Sequence, residues 1–208
     1  MGPDPRGDHR RHHGDPPVTR ILAISGSLRE RSYNRALLRA ARELAPDGVE
    51  VVEFDISVLP FYDGDVEAAG DPEPVVALRA AVADADAVLI ATPEYNRGTS
   101  GVLKNAIDWL SRPALASVLR WKPVGIVGAS TGRGGTRRAQ QQVRDALLFP
   151  GAIVLEEPEV ALPVAWEHFD EDGRLVDERT RDSIRDLLET LVAAPRARQP
   201  VEAVIVGA

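Results

Sequence analysis

The stretch "DAVLIATPEYNRGTSGVLKNAIDWLSRP", residues 86–113, carries the fold in miniature. Ala87–Thr92 is an apolar run of strand length without polar alternation, as expected of a strand buried on both faces. Gly101–Ser111 then places Val102, Leu103, Ala106, Ile107 and Leu110 at helical spacing. Between the two stand Pro93, Glu94, Tyr95 and Asn96, followed by a Gly-punctuated loop. A mere connection does not need an acid, a phenol and an amide in succession. Open α/β sheets place their ligands in such loops, at the carboxyl ends of strands.

The same alternation extends in both directions. Ile21–Ser25, Val49–Asp55, Val124–Gly128 and Ala152–Leu155 read as further strands. Asn34–Ala45, Pro74–Ala83, Thr136–Leu148 and Val176–Ala194 read as helices. Strands separated by helices form a parallel sheet covered on both faces, and right-handed crossovers leave Rossmann-like or flavodoxin-like arrangements. Five strands favour the second: a three-layer α/β sandwich with a flavodoxin-like parallel sheet in the order 2-1-3-4-5. Residues 19–195 are expected to form this domain. Residues 1–18, rich in Gly, Pro, Asp and His, read as a disordered tail. Residues 196–208 form a C-terminal tail whose apolar "VEAVIVGA" has no place in this scheme.

Composition narrows the function. The 208 residues carry a net charge of −7, which argues against nucleic acid as a partner. The absence of Cys excludes disulfides, thiolate metal sites and a Cys nucleophile, and fits a reducing cytoplasm. No stretch approaches the roughly 20 apolar residues of a membrane span, and the polar start is not a secretory signal. Charge is uneven: Arg20 to Arg42 holds six Arg against the single acid Glu30, an arrangement suited to a local anion site.

That anion site falls on the first loop, "SGSLRERSYN", residues 25–34. Ser32 is placed to cap the following helix, and Ser27, Arg29 and free backbone amides surround the helix N-terminus, as a phosphate requires. No P-loop Lys is present, and Gly26 alone does not make the three-glycine dinucleotide fingerprint, although Glu53 and Asp55 end the second strand where a ribose-binding acid would sit. A single terminal phosphate, and so a mononucleotide, fits better. On the second loop, backbone groups of Glu94, Tyr95 and Asn96 are placed to read the edge of a planar heterocycle, with Pro93 stiffening the approach. The competing reading makes Tyr95 and Trp109 packing residues. The third loop, "GASTGRGGTRRAQ" (128–140), contains Gly128-Ala-Ser130-Thr-Gly132, the pattern of a nucleophile elbow. A hydrolase triad would then need Asp145 or another acid, with His168. However, Gly132, Gly134 and Gly135 oppose the helix that an elbow requires directly after its Ser.

Taken together, "GSLRERSYN" (26–34), "TPEYN" with "GVLKNAIDWLSRP" (92–113) and "GASTGRGGTRRAQ" (128–140) resemble the NADPH-dependent FMN reductase family of flavodoxin-like proteins. "LPFYDGD" (59–65) and "HFDEDGRL" (168–175) are also similar to family segments, so the resemblance runs from about Arg20 to Ala194. It implies that Ser27, Arg29, Ser32 and Asn34 hold the FMN phosphate, with Leu28 and Tyr33 beside them in the cofactor site. It implies that Pro93, Glu94, Tyr95 and Asn96 line the isoalloxazine, and that Ser130 and the following Gly-rich turn border the ring system. It implies a homodimer or homotetramer with the Lys104–Trp109 helix near the interface. Ser100 departs from the Pro usual in the family, and it lies with the variable Arg97 where a second substrate would enter.

The expected function is an FMN-dependent oxidoreductase with NADPH or NADH as co-substrate. It would pass two electrons by a ping-pong mechanism to a quinone or similar acceptor. No catalytic side chain and no metal is assigned, because the cofactor carries the chemistry. Arg133, Arg137 and Arg138 are candidates for the 2′-phosphate of NADPH. A flavodoxin-like electron carrier or FMN-binding regulatory module remains the alternative, with serine hydrolysis at Ser130 as a third reading. Against a carrier, which commonly encloses its flavin between bulky aromatics, stand a 5% aromatic content and the small residues of the third loop.

Overall fold

The computed structural model describes residues 18–194, so the expectations for the N-terminal tail and for "VEAVIVGA" fall outside the described residues. In chain order the elements are β1 Thr19–Ser25, α1 Tyr33–Glu43, β2 Val49–Phe54, α2 Gly64–Ala69, α3 Glu73–Asp84, β3 Ala87–Ala91, α4 Gly101–Leu110, β4 Pro123–Ala129, α5 Arg137–Leu148, β5 Ile153–Val154, β6 Val160–Leu162 and α6 Glu178–Ala193. Short 3-10 turns at Ile56–Val58 and Ala165–Glu167 complete the chain. The strands pair in parallel in the order β2-β1-β3-β4-β5, with β6 also on β4, which is the flavodoxin-like order.

The apolar runs are continuous because each strand feeds two cores. Ile21 and Ala23 of β1 pack with α1 and α6, while Leu22 and Ile24 pack with α3, α4 and α5. In β3, Leu89 joins the first core, and Val88 and Ile90 the second. α1 forms where expected: the Ser32 hydroxyl accepts from Asn34 N and Arg35 N, and Ala36, Leu37, Leu38, Ala40 and Ala41 are buried on one face. α4 starts on the Ser100 side chain, which accepts from Leu103 N. Among the described residues no helix is long and apolar enough to cross a membrane.

One strand expectation needs correction. Ala152–Leu155 was to be a single fifth strand, yet only Ile153–Val154 pairs, against Pro123 and Val124. The chain then leaves the sheet through Glu156–Glu159 and returns as Val160–Leu162, against Val127–Ala129. β4 is buried at all seven positions, so its distal backbone would lack hydrogen-bond partners without this second short strand. Three residues after an acidic, Pro-containing stretch are too few for a periodic signal.

α6 closes the first layer and has a side-chain cap. The Asp177 carboxylate accepts from Thr180 N at 2.9 Å and Thr180 Oγ1 at 2.6 Å. The Thr180 hydroxyl, then its amide and His168, hold the Asp177 carboxyl below the usual carboxylate range against the opposing effect of burial. A depressed folded-state pKa means that this contribution is present above the unfolded-state value and is lost as pH falls through the folded-state value. Asp177→Ala should therefore cost about 1 kcal/mol at neutral pH. In denaturant titrations the gap to wild type should narrow once the pH falls below the ordinary carboxylate range. A gap that stays constant as the pH falls well below that range would contradict the assignment.

Candidate functional site

Loops leave the carboxyl ends of β1, β3 and β4 at the crevice where the strand order reverses. Backbone and side-chain hydrogen bonds make them one body. Gly26 N donates to Ala91 O at 2.8 Å, joining the first loop to β3. Ser100 Oγ donates to Gly26 O at 2.6 Å while accepting from Leu103 N at 3.3 Å. A Cβ on Gly26 would stand 3.0 Å from both Pro93 Cδ and Leu103 Cδ2, so the close approach of the two loops leaves little room for a side chain. On the other side, Asn34 Nδ2 donates to Ala129 O at 3.0 Å and Asn34 Oδ1 accepts from Ala129 N at 2.9 Å.

The second and third loops are joined by an acid. Glu94 Oε2 accepts from Arg138 N at 3.1 Å and Ala139 N at 3.3 Å, capping α5 from outside. Thr136, the residue preceding that helix, makes no side-chain cap of its own. Gln142 Oε1 accepts from Thr99 N at 2.7 Å, and the Thr92 and Thr99 hydroxyls meet at 2.8 Å. In the third loop, a Cβ on Gly128 would run into Thr136 Oγ1 and lie 2.6 Å from Thr92 O. Gly135, at φ +63°, sits where a Cβ would be 2.7 Å from Ala161 O.

The groups left open define the chemistry. The backbone amides of Leu28 through Ser32 donate to no protein acceptor among the described residues. They precede the N-terminus of α1, an 11-residue helix, together with the Ser27 and Ser32 hydroxyls and the exposed Arg29 guanidinium, which makes no ion pair among the described residues. Unpaired donors, a positive helix end and a cation suit a phosphate. Leu28 is 46% exposed beside them, and Tyr33 turns its ring onto Phe169, centroids 5.1 Å apart.

The second loop forms a tight turn at its tip. Tyr95 and Gly98 exchange both backbone hydrogen bonds, at 2.9 and 3.0 Å, around Asn96 and Arg97. Both central residues have positive φ, 51° and 67°, the geometry of a type I′ turn, where Gly is the favoured second residue. An L-residue with a Cβ costs roughly 1–2 kcal/mol in that region. Tyr95, 48% exposed, presents its ring on this turn.

The structure thus brings together the expected residues of the three loops but gives two of them protein-facing tasks. The Asn34 amide clamps Ala129, and the Glu94 carboxylate caps α5. The side chains that fix the site were not singled out from sequence: Asn105, Gln140 and Thr92 are buried, Thr99 is half-buried and Gln142 is exposed. Asn105 and Trp109 both donate to Pro60 O at 2.9 Å, and Asn105 accepts from Tyr62 N at 2.7 Å, pinning the 59–65 segment on α4. Their signal was an amide on an otherwise apolar helix face: Asn105 stands between Leu103 and Ala106, and Gln140 between Ala139 and Val143.

Ser130 does not sit in an elbow. Its Oγ accepts from Gly132 N at 3.1 Å, and the next helix starts only at Arg137. His168 lies 3.8 Å from Asp177, and among the described residues no hydrogen bond links it to Ser130. Of the three candidate cations, Arg137 pairs with Glu159 at 2.9 Å and Arg138 approaches Glu94 at 3.6 Å. Arg133 makes no ion pair among the described residues.

The chain's relatives carry the same chemistry in their descriptions. The family profile described as NADPH-dependent FMN reductase matches residues 19–167. An NAD(P)H-dependent FMN reductase of Pseudomonas aeruginosa is 47% identical over 172 residues, which cover 83% of this chain and 92% of that protein. A 2-hydroxy-1,4-benzoquinone reductase of a Burkholderia species is 38% identical over 180 residues, 86% of this chain and 98% of that one. Among solved structures, the flavoenzyme NAD(P)H:(acceptor) oxidoreductase FerB of Paracoccus denitrificans superposes with a TM-score of 0.76 at 34% identity, covering 85% of this chain and 97% of its own. A profile match over most of the chain, on a flavodoxin-like sheet, places the chain in the NADPH-dependent FMN reductase family.

Proposed function

We propose that this oxidoreductase passes two electrons from NAD(P)H through FMN to quinones or similar acceptors, by a ping-pong mechanism. The observation that carries the reading is the run of unpaired amides from Leu28 to Ser32, with Ser27, Ser32 and Arg29, in front of α1. Those groups fit a terminal phosphate, and the Pro93–Asn96 loop stands across the switch point at a position suited to the ring. FMN, when bound, supplies the two-electron relay between the nicotinamide and the acceptor.

The chain's own residues bind, orient and leave space. Ser27, Leu28, Arg29, Ser32 and Tyr33 would hold the phosphate end. Pro93, Tyr95 and Asn96, with the backbone of Glu94, would line the ring, and Ser130 and the following Gly-rich turn would border it. Asn34 acts from behind, by fixing the first loop to the third. Thr131, Gly132, Arg133 and Gly134 are exposed, and none of them is a bulky aromatic. An uncovered face lets a nicotinamide and then an acceptor use the same place in turn. This favours the reductase over a carrier that encloses its flavin.

The relatives' quinone and FMN reductase descriptions support the acceptor class. A homodimer or homotetramer in the cytoplasm is part of the proposal. It is supported by Phe61, 82% exposed on a segment that α4 holds rigid, and by the absence of Cys. Residues 19–195 would form the working domain, with β1 and α6 as its first and last elements.

Three measurements test the reading. Arg29→Ala should weaken FMN binding roughly ten- to hundredfold, the worth of a hydrogen bond to a charged group. Unchanged affinity in a folded variant would remove Arg29 from the site. Initial rates with NADPH and a quinone should give parallel lines in double-reciprocal plots, whereas intersecting lines would mean that both substrates bind together. Ser130→Ala should keep most NADPH-dependent reduction, and a fluorophosphonate should leave Ser130 unlabelled. Stoichiometric labelling would restore the hydrolase.

A further inference from the structure

The turn at the tip of the ring loop contains a contradiction. Asn96 and Arg97 both adopt positive φ, yet the second position, where Gly is preferred, holds a long β-substituted cation. The surroundings enforce the conformation. Tyr95 and Gly98 close the turn from both sides, and Gln142 of α5 holds Thr99 N. A Cβ on Gly98 would stand 2.7 Å from Gln142 Oε1, so the turn is pressed against α5. Backbone strain that the surroundings maintain is concentrated where a side chain has work to do.

The Arg97 side chain has no work within the protein. It is exposed and makes no ion pair or hydrogen bond among the described residues. Its basic neighbours differ: Arg138 lies against Glu94, and Arg137 against Glu159. The strained turn therefore presents an unpaired guanidinium beside the loop assigned to the flavin ring, in a chain of net charge −7. Its fork geometry suits a phosphate.

We propose that Arg97 is a specificity-determining residue that binds a phosphate of the incoming pyridine nucleotide, and that its turn is kept strained to hold the guanidinium there. The proposal rests on the oxidoreductase reading of the site. It deepens that reading by adding Arg97, held on a strained turn, to the third-loop candidates, of which Arg137 and Arg138 are paired and Arg133 makes no ion pair among the described residues. Two phosphate sources have the same chemistry: the 2′-phosphate, present only in NADPH, and the diphosphate bridge, present in both nucleotides.

The test is titration calorimetry on the FMN-loaded protein with NADP+ and with NAD+, which does not depend on turnover, alongside thermal unfolding and FMN affinity. Arg97→Gly should raise Tm by about 2–4 °C through relief of the left-handed strain. The same variant should weaken nucleotide binding roughly tenfold or more with FMN affinity unchanged. Loss for NADP+ alone assigns the 2′-phosphate, and equal loss for both nucleotides assigns the diphosphate. Arg97→Lys, which keeps charge without the fork, should fall between. Unchanged nucleotide affinity in Arg97→Gly overturns the proposal, as does a loss that only follows loss of FMN. If the native FMN-loaded protein binds neither nucleotide, the oxidoreductase reading falls as well, a result distinct from an unaffected variant.

Discussion

The Asn34–Ala129 amide pair is the contact on which the rest of the site depends. It joins the first turn of α1 to the last residue of β4 across the buried interior, with both hydrogen bonds of one side chain satisfied by one backbone unit. A buried amide with only one partner would carry a desolvation penalty of about 1–3 kcal/mol, so the pair forms whole or not at all. Because α1 begins at the first loop and β4 feeds the Gly-rich loop, this contact sets the distance between those two loops. Glu94 does the equivalent on the other side, by tying the second loop to the start of α5.

These fixtures explain how loops rich in Gly and Ser become precise. Gly26 and Gly128 are positions where a Cβ would press on Pro93 and Leu103, or on Thr136 and Thr92. Close backbone approach removes the space in which such loops would otherwise move. Hydroxyl and amide side chains then take up the polar groups brought together: Ser100 on Gly26, Gln142 on Thr99, Gln140 on Val160. Among the described residues, the backbone amides from Leu28 to Ser32 stay without a protein acceptor at the mouth of the first loop.

Much of this was legible in the sequence because the period of the apolar pattern is a direct image of burial. Runs such as Ile21–Ser25 and Ala87–Ala91 feed two cores and so show no polar alternation. Ser32 announced α1, and the glycines after Ser130 correctly argued against a helix there. What escaped was non-local. That Asn34 would face Ala129, 95 positions away, or that Glu94 would cap a helix 44 positions on, is set by tertiary placement and has no periodic signature. β6 escaped because three residues of strand are held by the free edge of β4 and not by their own propensity. The strained turn was equally hidden, since Asn-Arg followed by Gly looks like an ordinary loop until the dihedrals are known.

Ser100 shows how one position can be held rigid by either of two means. Its φ of −73° and ψ of 149° are values that a proline ring would accept. A ring would fix the backbone covalently, mostly by reducing the freedom of the unfolded chain. The hydroxyl instead fixes it by two hydrogen bonds, one to the phosphate loop and one to its own helix. The stiffness here is therefore conditional: it exists only while the first loop is in place to accept the Ser100 proton. Folding of the helix start and ordering of the first loop become thermodynamically linked events.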